Sequence, residues 1–472
     1  MLFKDEKTGL FTDLYELTMA QGYFFSGKHS DKATFEYFFR NNPFQGGFTV
    51  FAGLADFLDL LGEFSFSVSD LQYLSEQGFR KEFLTFLAGF RFAGNISSVK
   101  EGELVFPYEP VVKVEGNILE CQLIESMLLN ILNFESLIAT KAYRIKQAAG
   151  GRPFSDFGMR RAQGLAAIHA SRAAVIGGAS STSNVLAGKI FGIPVAGTQA
   201  HSWIQSFDTE LEAFRTYANI HPENTTLLVD TYDTLKSGVP NAITVAKEME
   251  QQGAKLKAIR LDSGDMAYLS RHARKMLDDA GLPSVKIVAS NQLNEYIINT
   301  LLKDQNAAID VFGVGTEMVT GKPDAALDGV YKLVCLNEIP RMKLSENPEK
   351  TTLPGKKQLV RYFDAEGQFF RDGILLEDEN PGETGMIYHP FYPEKLTPVS
   401  HLRCENLLSE VVADGQVLPV SRDLVNIHHY LLTRATSLPA EHKRFFSPHI
   451  YKVGISQKLM NLRNELSEKY NH

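Results

Sequence analysis

The chain has 472 residues, 44% of them hydrophobic and 22% charged, with a formal net charge of −8. That length exceeds one ordinary domain and supplies ample apolar material for a core, while the acidic balance excludes nucleic acid or an anionic membrane as the main partner and still permits a local basic pocket for phosphates. Cys121, Cys335 and Cys404 lack any CxxC spacing, which excludes a disulfide framework or zinc cluster; with no apolar signal core at the start and no bilayer-length uncharged run, the sequence predicts a cytoplasmic protein.

Residues 1–150 mix two kinds of signal. "KATFEYFFRNNPF" and "EGELVFPYEPVVKVEGNILE" read as strands, the second interrupted by prolines that suit sheet edges. "FAGLADFLDLLGEF" and "ECQLIESMLLNILNFESLIATKAYRIKQAAG" read as helices. The expectation is an N-terminal α+β domain whose long last helix leads onward.

Over residues 151–340 short β-branched or small apolar runs end in glycine or polar residues. They recur roughly 20 to 30 residues apart, the length of a βα unit. The runs are "PFSDFG", "AAVIGGA", "IPVAGT", "TLLVDTYD", "KAIRLDSGD", "VKIVASN", "IDVFGVGT" and "GVYKLV". Amphipathic stretches such as "AYLSRHARKMLDDAG" lie between them, this one ending at Gly281 as a helix stop does. The pattern predicts an α/β fold with an irregular (β/α)8-like barrel. Residues 341–472 open on the charged, turn-rich "MKLSENPEKTTLPGKKQLV", continue strand-rich, and close on the helix-like "SQKLMNLRNELSEKY". This extension is expected to pack on the N-terminal domain.

Barrels of this kind build their sites at the C-terminal ends of the strands. In chain order those ends offer Asp156 and Arg160, then Gly177, Gly178 and Ser180, then Thr198 and His201. Asp230 follows, then Arg260 with Asp262, Ser263 and Asp265, then Ser290 and Asn291, and last Gly313, Gly315 and Thr316. The turns "GGASSTSN" and "GVGT" suit plain tight turns as well as backbone cradles for phosphate. "GVGTEM" has Met318 where a dinucleotide fingerprint needs its third glycine, so a Rossmann reading fails. Asp262 and Asp265 fit helix caps, or a pair that orients Arg260 or holds Mg²⁺ through water. Arg160 is a better phosphate fork than Arg161. No histidine pair has metal-ligand spacing, and no GxSxG elbow occurs. Two arginines, several carboxylates, small-residue turns and one histidine converge on a phosphate-rich substrate.

Six motifs in order carry a resemblance: "TDLYELTMAQGYF", "FSDFGMRRAQG", "GGASSTSNVLAG", "GTQAHSW", "IRLDSGD" and "FGVGTEMVTG". Together they resemble the nicotinate phosphoribosyltransferase family over roughly residues 12 to 334, and "DGVYKLV" and "MIYHPFYPEK" extend the likeness. The resemblance implies an N-terminal α/β domain plus an irregular barrel, commonly working as a homodimer. It implies that nicotinate and phosphoribosyl pyrophosphate give nicotinate mononucleotide and pyrophosphate, coupled to ATP hydrolysis, in NAD salvage. Mg²⁺ would accompany the phosphates, met by Asp262 and Asp265 without a direct protein site.

By the same resemblance His201 is the histidine that ATP phosphorylates, with Asp262 beside it in catalysis. Thr198 and Arg260 resemble nicotinate contacts, and Tyr15 and Phe157 resemble the rings that sandwich the pyridine, Tyr15 reaching across from the second subunit. Gly315 and Thr316 resemble the phosphoribosyl phosphate cradle, with Arg160 nearby. Asn184 stands where a nicotinamide-using relative carries an aspartate, and a neutral side chain does not repel a carboxylate substrate. The alternatives are nicotinamide as substrate, a quinolinate-decarboxylating relative that would need more cations and no histidine, and a non-catalytic metabolite sensor on the same fold.

Overall fold

The computed structural model describes residues 7–471. The chain forms two compact units, one from the segment up to Thr140 together with the segment from Ala326 onward, the other Lys141–Ala325. These boundaries lie at 140 and 325, where the sequence reading placed them at 150 and 340. The helix Glu125–Ala148 crosses the first of them.

In the first unit the strand Lys32–Phe39 lies between Gly329–Leu336 and Val112–Asn117 in a seven-stranded sheet, antiparallel to both. "GVYKLV" is therefore no barrel strand. It pairs with the N-terminal strand because its apolar residues match across the register: Tyr37 stands opposite Tyr331, and the rings of Phe35 and Tyr331 stack at 4.8 Å. A six-stranded sheet runs from Leu396–Pro398 through Met386–Tyr388, Val453–Ser456, Phe369–Leu376 and Lys357–Phe363 to Cys404–Asn406.

Leu359, Ile374 and Ile455 of that second sheet share one core with Phe35, Tyr37, Phe57 and Phe83. Burying each such side chain stabilises by about 1.5–3 kcal/mol. A buried ion network ties the same distant segments. Arg361 donates to Glu103 and, from Nη2 at 2.6 Å, to Asp372, and Arg434 meets Glu103 at 2.8 Å. Removing one partner would strand a buried charge and cost about 3–5 kcal/mol.

The second unit holds six parallel strands in the order Ser181–Thr182, Phe154–Asp156, Val311–Val314, Lys286–Ser290, Ala258–Leu261, Thr226–Leu228. The first of these in sequence, Phe154–Asp156, pairs with the last, Val311–Val314, which is how a barrel closes. A single parallel bridge, Thr182 to Val195, continues the sheet at its other end. The barrel is irregular for two local reasons. "IPVAGT" contributes only that bridge, and "AAVIGG" ends the helix Ala166–Ile176 while the strand is the later pair Ser181–Thr182. Among the described residues no helix is long and apolar enough to cross a membrane.

Candidate active site

Strand alternation sets which side chains can meet. Leu227, Ile259, Leu261 and Ile287 pack with Phe214, Val245 and Ala273 of the surrounding helices. The period of two then turns Arg260 to the opposite face, beside its register partners Leu228 and Val288. Polar groups from three neighbouring strand ends and the "GTQAHSW" loop gather around it.

Arg260 is the node of this group. Its Nε donates to Ser290 Oγ at 2.9 Å, Nη1 to Thr198 Oγ1 at 2.8 Å and Nη2 to Asp262 Oδ1 at 2.8 Å. Ser290 Oγ also donates to Asp262 Oδ1. The guanidinium is thereby fixed in its plane, and each terminal nitrogen retains a second N–H for an incoming acceptor. Its side chain is 15% exposed, enough to be reached and little enough to be shielded from water.

His201 opens the short helix His201–Gln205. Its Nδ1 lies 3.1 Å from Thr231 Oγ1, and its Nε2 faces Asp262 Oδ2 at 3.9 Å. Thr231 is a functional candidate that the sequence reading passed over, although it adjoins Asp230 in "TLLVDTYD". Asp230 braces the opposite loop: its Oδ2 accepts Asp262 N–H at 2.8 Å and Ser263 Oγ–H at 2.7 Å. Its other oxygen is buried without a hydrogen-bond partner.

Phe157 is the aromatic wall, with the Arg260 guanidinium carbon 5.8 Å from its ring centre. Two features of the sequence hold the ring there. A methyl group at Gly313 would sit 2.5 Å from a ring carbon, so that position must stay bare. The preceding Asp156 is fully buried and accepts Gly158 N–H at 2.8 Å, Ser171 Oγ–H at 2.7 Å and Thr182 Oγ1–H at 2.8 Å. Burial pushes its carboxyl above the usual carboxylate range while those three donors pull it back. Asp156 thus locks the turn and offers nothing to a ligand.

The structure brings together Phe157, Thr198, His201, Arg260 and Asp262, and corrects other expectations. Asn184 is 1% exposed and caps the helix Val185–Phe191; its Oδ1 accepts Ala187 N–H at 3.2 Å and its Nδ2 donates to Ala167 O at 3.2 Å. The amide is thus buried and turned to backbone groups at both ends, the placement of a helix cap. Gly177, Gly178 and Ser180 precede the strand Ser181–Thr182 and lie at its N-terminal end, away from the other strand ends. Asp265 caps the helix Met266–Asp279 through Tyr268 N–H at 2.9 Å.

Arg160 lies exposed in the turn Met159–Arg161, Gly315 is half-buried, and Thr316 begins the four-residue helix Thr316–Val319. Tyr15 belongs to the other unit, 45% exposed in the first turn of the helix Leu14–Phe25. Partial burial and the nearby Glu125 and Glu16 push its hydroxyl well above the ordinary tyrosine range.

Comparison with known proteins places the whole chain in one family. Residues 153–368 match the nicotinate phosphoribosyltransferase family model, residues 10–133 match its N-terminal domain and residues 356–463 its C-terminal domain. The nicotinate phosphoribosyltransferase of Bacillus subtilis is 44% identical over 464 residues, covering 96% of this chain and 94% of that protein.

This chain belongs to the nicotinate phosphoribosyltransferase family.

The Caenorhabditis elegans member is 36% identical, covering 97% of this chain and 93% of its own. The crystal structure of human nicotinic acid phosphoribosyltransferase superposes with a TM-score of 0.87 at 32% identity, covering 96% of this chain and 99% of that one. Family membership makes the chain an enzyme, and the near-complete coverage on both sides spans both of its units.

Proposed function

We propose that this chain transfers the phosphoribosyl group of phosphoribosyl pyrophosphate to nicotinate, releasing pyrophosphate and forming nicotinate mononucleotide for NAD salvage in the cytoplasm. The observation that carries the reading is the Arg260 clamp. Its remaining N–H groups on Nη1 and Nη2 suit a planar carboxylate taken in a two-pronged bond, with the pyridine against Phe157. Such a site favours the acid over its amide, because nicotinamide offers one acceptor and brings donors that Arg260 cannot use. This discrimination rests on Arg260 and Thr198, now that Asn184 is committed to its helix.

ATP coupling runs through His201 in this reading. With Thr231 holding Nδ1, the neutral imidazole presents Nε2 as the nucleophile. An Nε2–P bond to the γ-phosphoryl group forms as the bond to ADP breaks. Phosphoribosyl transfer follows, and water then cleaves the N–P bond to restore the histidine. Asp262 orients Arg260, and its other carboxylate oxygen stands 3.9 Å from Nε2. Cleavage at the anomeric carbon places growing negative charge on the departing pyrophosphate, and in this reading Arg160, exposed in the turn Met159–Arg161, and the Gly315–Thr316 turn receive phosphates.

Mg²⁺ fits this donor set. Asp230 has a buried oxygen without a partner and Asp262 stands close by, hard oxygen ligands that suit an ion carried in on substrate phosphates. When bound, the ion would neutralise charge on the polyphosphates. Tyr15 completes the site from a second copy of the chain in a homodimer.

His201→Ala tests the coupling. The variant is expected to fold with an unchanged melting temperature and to lose nicotinate-stimulated ADP release by at least about a hundredfold, the scale of a removed nucleophile. ADP release at the wild-type rate would end the phosphohistidine reading.

A further inference from the structure

The six-stranded sheet of the first unit carries a cavity of about 600 Å³ that the reaction does not use. It is lined from the neighbouring strands Leu396–Pro398, Met386–Tyr388, Val453–Ser456 and Phe369–Leu376 and from the segment 444–450. Arg371, His389, Lys395, Arg444, His449 and Lys452 all line it, and no carboxylate does among the described residues. In an acidic chain such segregation is not a consequence of composition.

Each basic group is left available. Arg371 Nε is buried without a hydrogen-bond partner, and burial pushes that guanidinium down from its usual range, offset in part by the nearby Tyr451 hydroxyl. Arg371 is otherwise held by Phe370, donating to its carbonyl and lying 4.6 Å from its ring centre. His389 Nδ1 accepts the backbone N–H groups of Phe391 and Tyr392 at 3.1 and 3.2 Å, which leaves its Nε2 as a donor. The Lys395 ammonium lies over the face of Tyr392, 4.5 Å away. Glu394 and Glu441 are exposed and lie outside the lining, and Asp372, next to Arg371 in the chain, is taken up by Arg361 and Tyr451.

We propose that this cavity binds a small polyphosphate, either free or as the phosphate tail of a nucleotide. Four permanent cations in one enclosure call for a ligand with several charges in a compact volume, which a single carboxylate or a sulfate does not provide. The volume falls within the range of about 300–1,000 Å³ usual for small-ligand sites. Half-buried Tyr388 gives one wall a ring on which a nucleobase can rest.

Site-resolved lysine acetylation of the full chain, read by mass spectrometry, separates this cavity from phosphate binding at Arg260. Inorganic tripolyphosphate is expected to slow acetylation of Lys395 and Lys452 at least fivefold, leaving the highly exposed Lys236 unchanged. Arg444→Ala, at an exposed position where folding is not at stake, and Arg371→Met should each abolish the protection. Protection by ATP at tenfold lower concentration than tripolyphosphate assigns the nucleotide, and equal or weaker protection assigns the free polyphosphate. Equal protection by sulfate at matched ionic strength would reduce the effect to screening and overturn the proposal. So would protection that survives in Arg444→Ala, or that appears only with RNA or anionic vesicles.

Discussion

Three hydrogen bonds to Arg260, from different strand ends and a loop, define what that residue can do. A lysine at this position would keep the charge but lose the planar fork and at least two of its anchors. Arg260→Lys is therefore expected to lower kcat/KM for nicotinate by about 10²–10³, the loss of a preorganised donor set. Steady-state kinetics at saturating phosphoribosyl pyrophosphate measure it, and a loss below tenfold would mean the carboxylate is held elsewhere. At this scale the sequence was legible at several strand ends: Thr198, His201, Arg260 and Asp262 do converge. It misled at Asn184, because an asparagine before an apolar run caps a helix and the substrate reading required it to do something else. Thr231 was invisible because its role comes from the neighbour that Nδ1 of His201 finds in space, thirty positions away.

The helix Leu14–Phe25, which carries Tyr15, is fastened to the helix Glu125–Ala148 through a buried carboxylate. Glu16 Oε1 accepts Ser126 N–H at 2.8 Å and Ser126 Oγ–H at 2.5 Å, and Thr12 donates to its other oxygen. Burial outweighs those donors and pushes the Glu16 carboxyl up to about 7 from an ordinary 4.5. The folded chain then holds a proton that the unfolded chain has already released between these two values. Stability must fall as pH rises through that window, by on the order of 2 kcal/mol from this residue. Urea unfolding at pH 5 and pH 8 should show a smaller fall for Glu16→Gln than for the wild type, and identical falls would refute the assignment. Elements of this kind were read correctly where the apolar period was long, as in the helix Met266–Asp279. Short apolar runs were ambiguous: "AAVIGG" suits a strand by composition but completes a helix turn, since burial on every side removes the periodic signal.

Across the whole molecule, the segment beyond Ala326 folds back into the sheet and core begun by the first 140 residues, a pairing that no local pattern announces. The cluster of His201, Arg260 and Asp262 sits in the intervening unit while Tyr15 does not. If Tyr15 is supplied by a second copy, Tyr15→Ala and His201→Ala chains, each inactive alone, should regain about a quarter of wild-type activity when dissociated and remixed, as random pairing in a two-fold dimer gives. No recovery would mean that each chain completes its own site. The central claim is that a clamped Arg260 selects the pyridine acid and that His201 links its transfer to ATP. The most direct measurement supplies the wild-type enzyme with phosphoribosyl pyrophosphate and Mg-ATP, then nicotinate or nicotinamide, and follows mononucleotide and ADP together. Nicotinate mononucleotide accompanied by ADP, with nicotinamide turned over at least about a hundredfold less efficiently, is the predicted result. Comparable turnover of nicotinamide, or mononucleotide formed with ATP present but no ADP released, would contradict it.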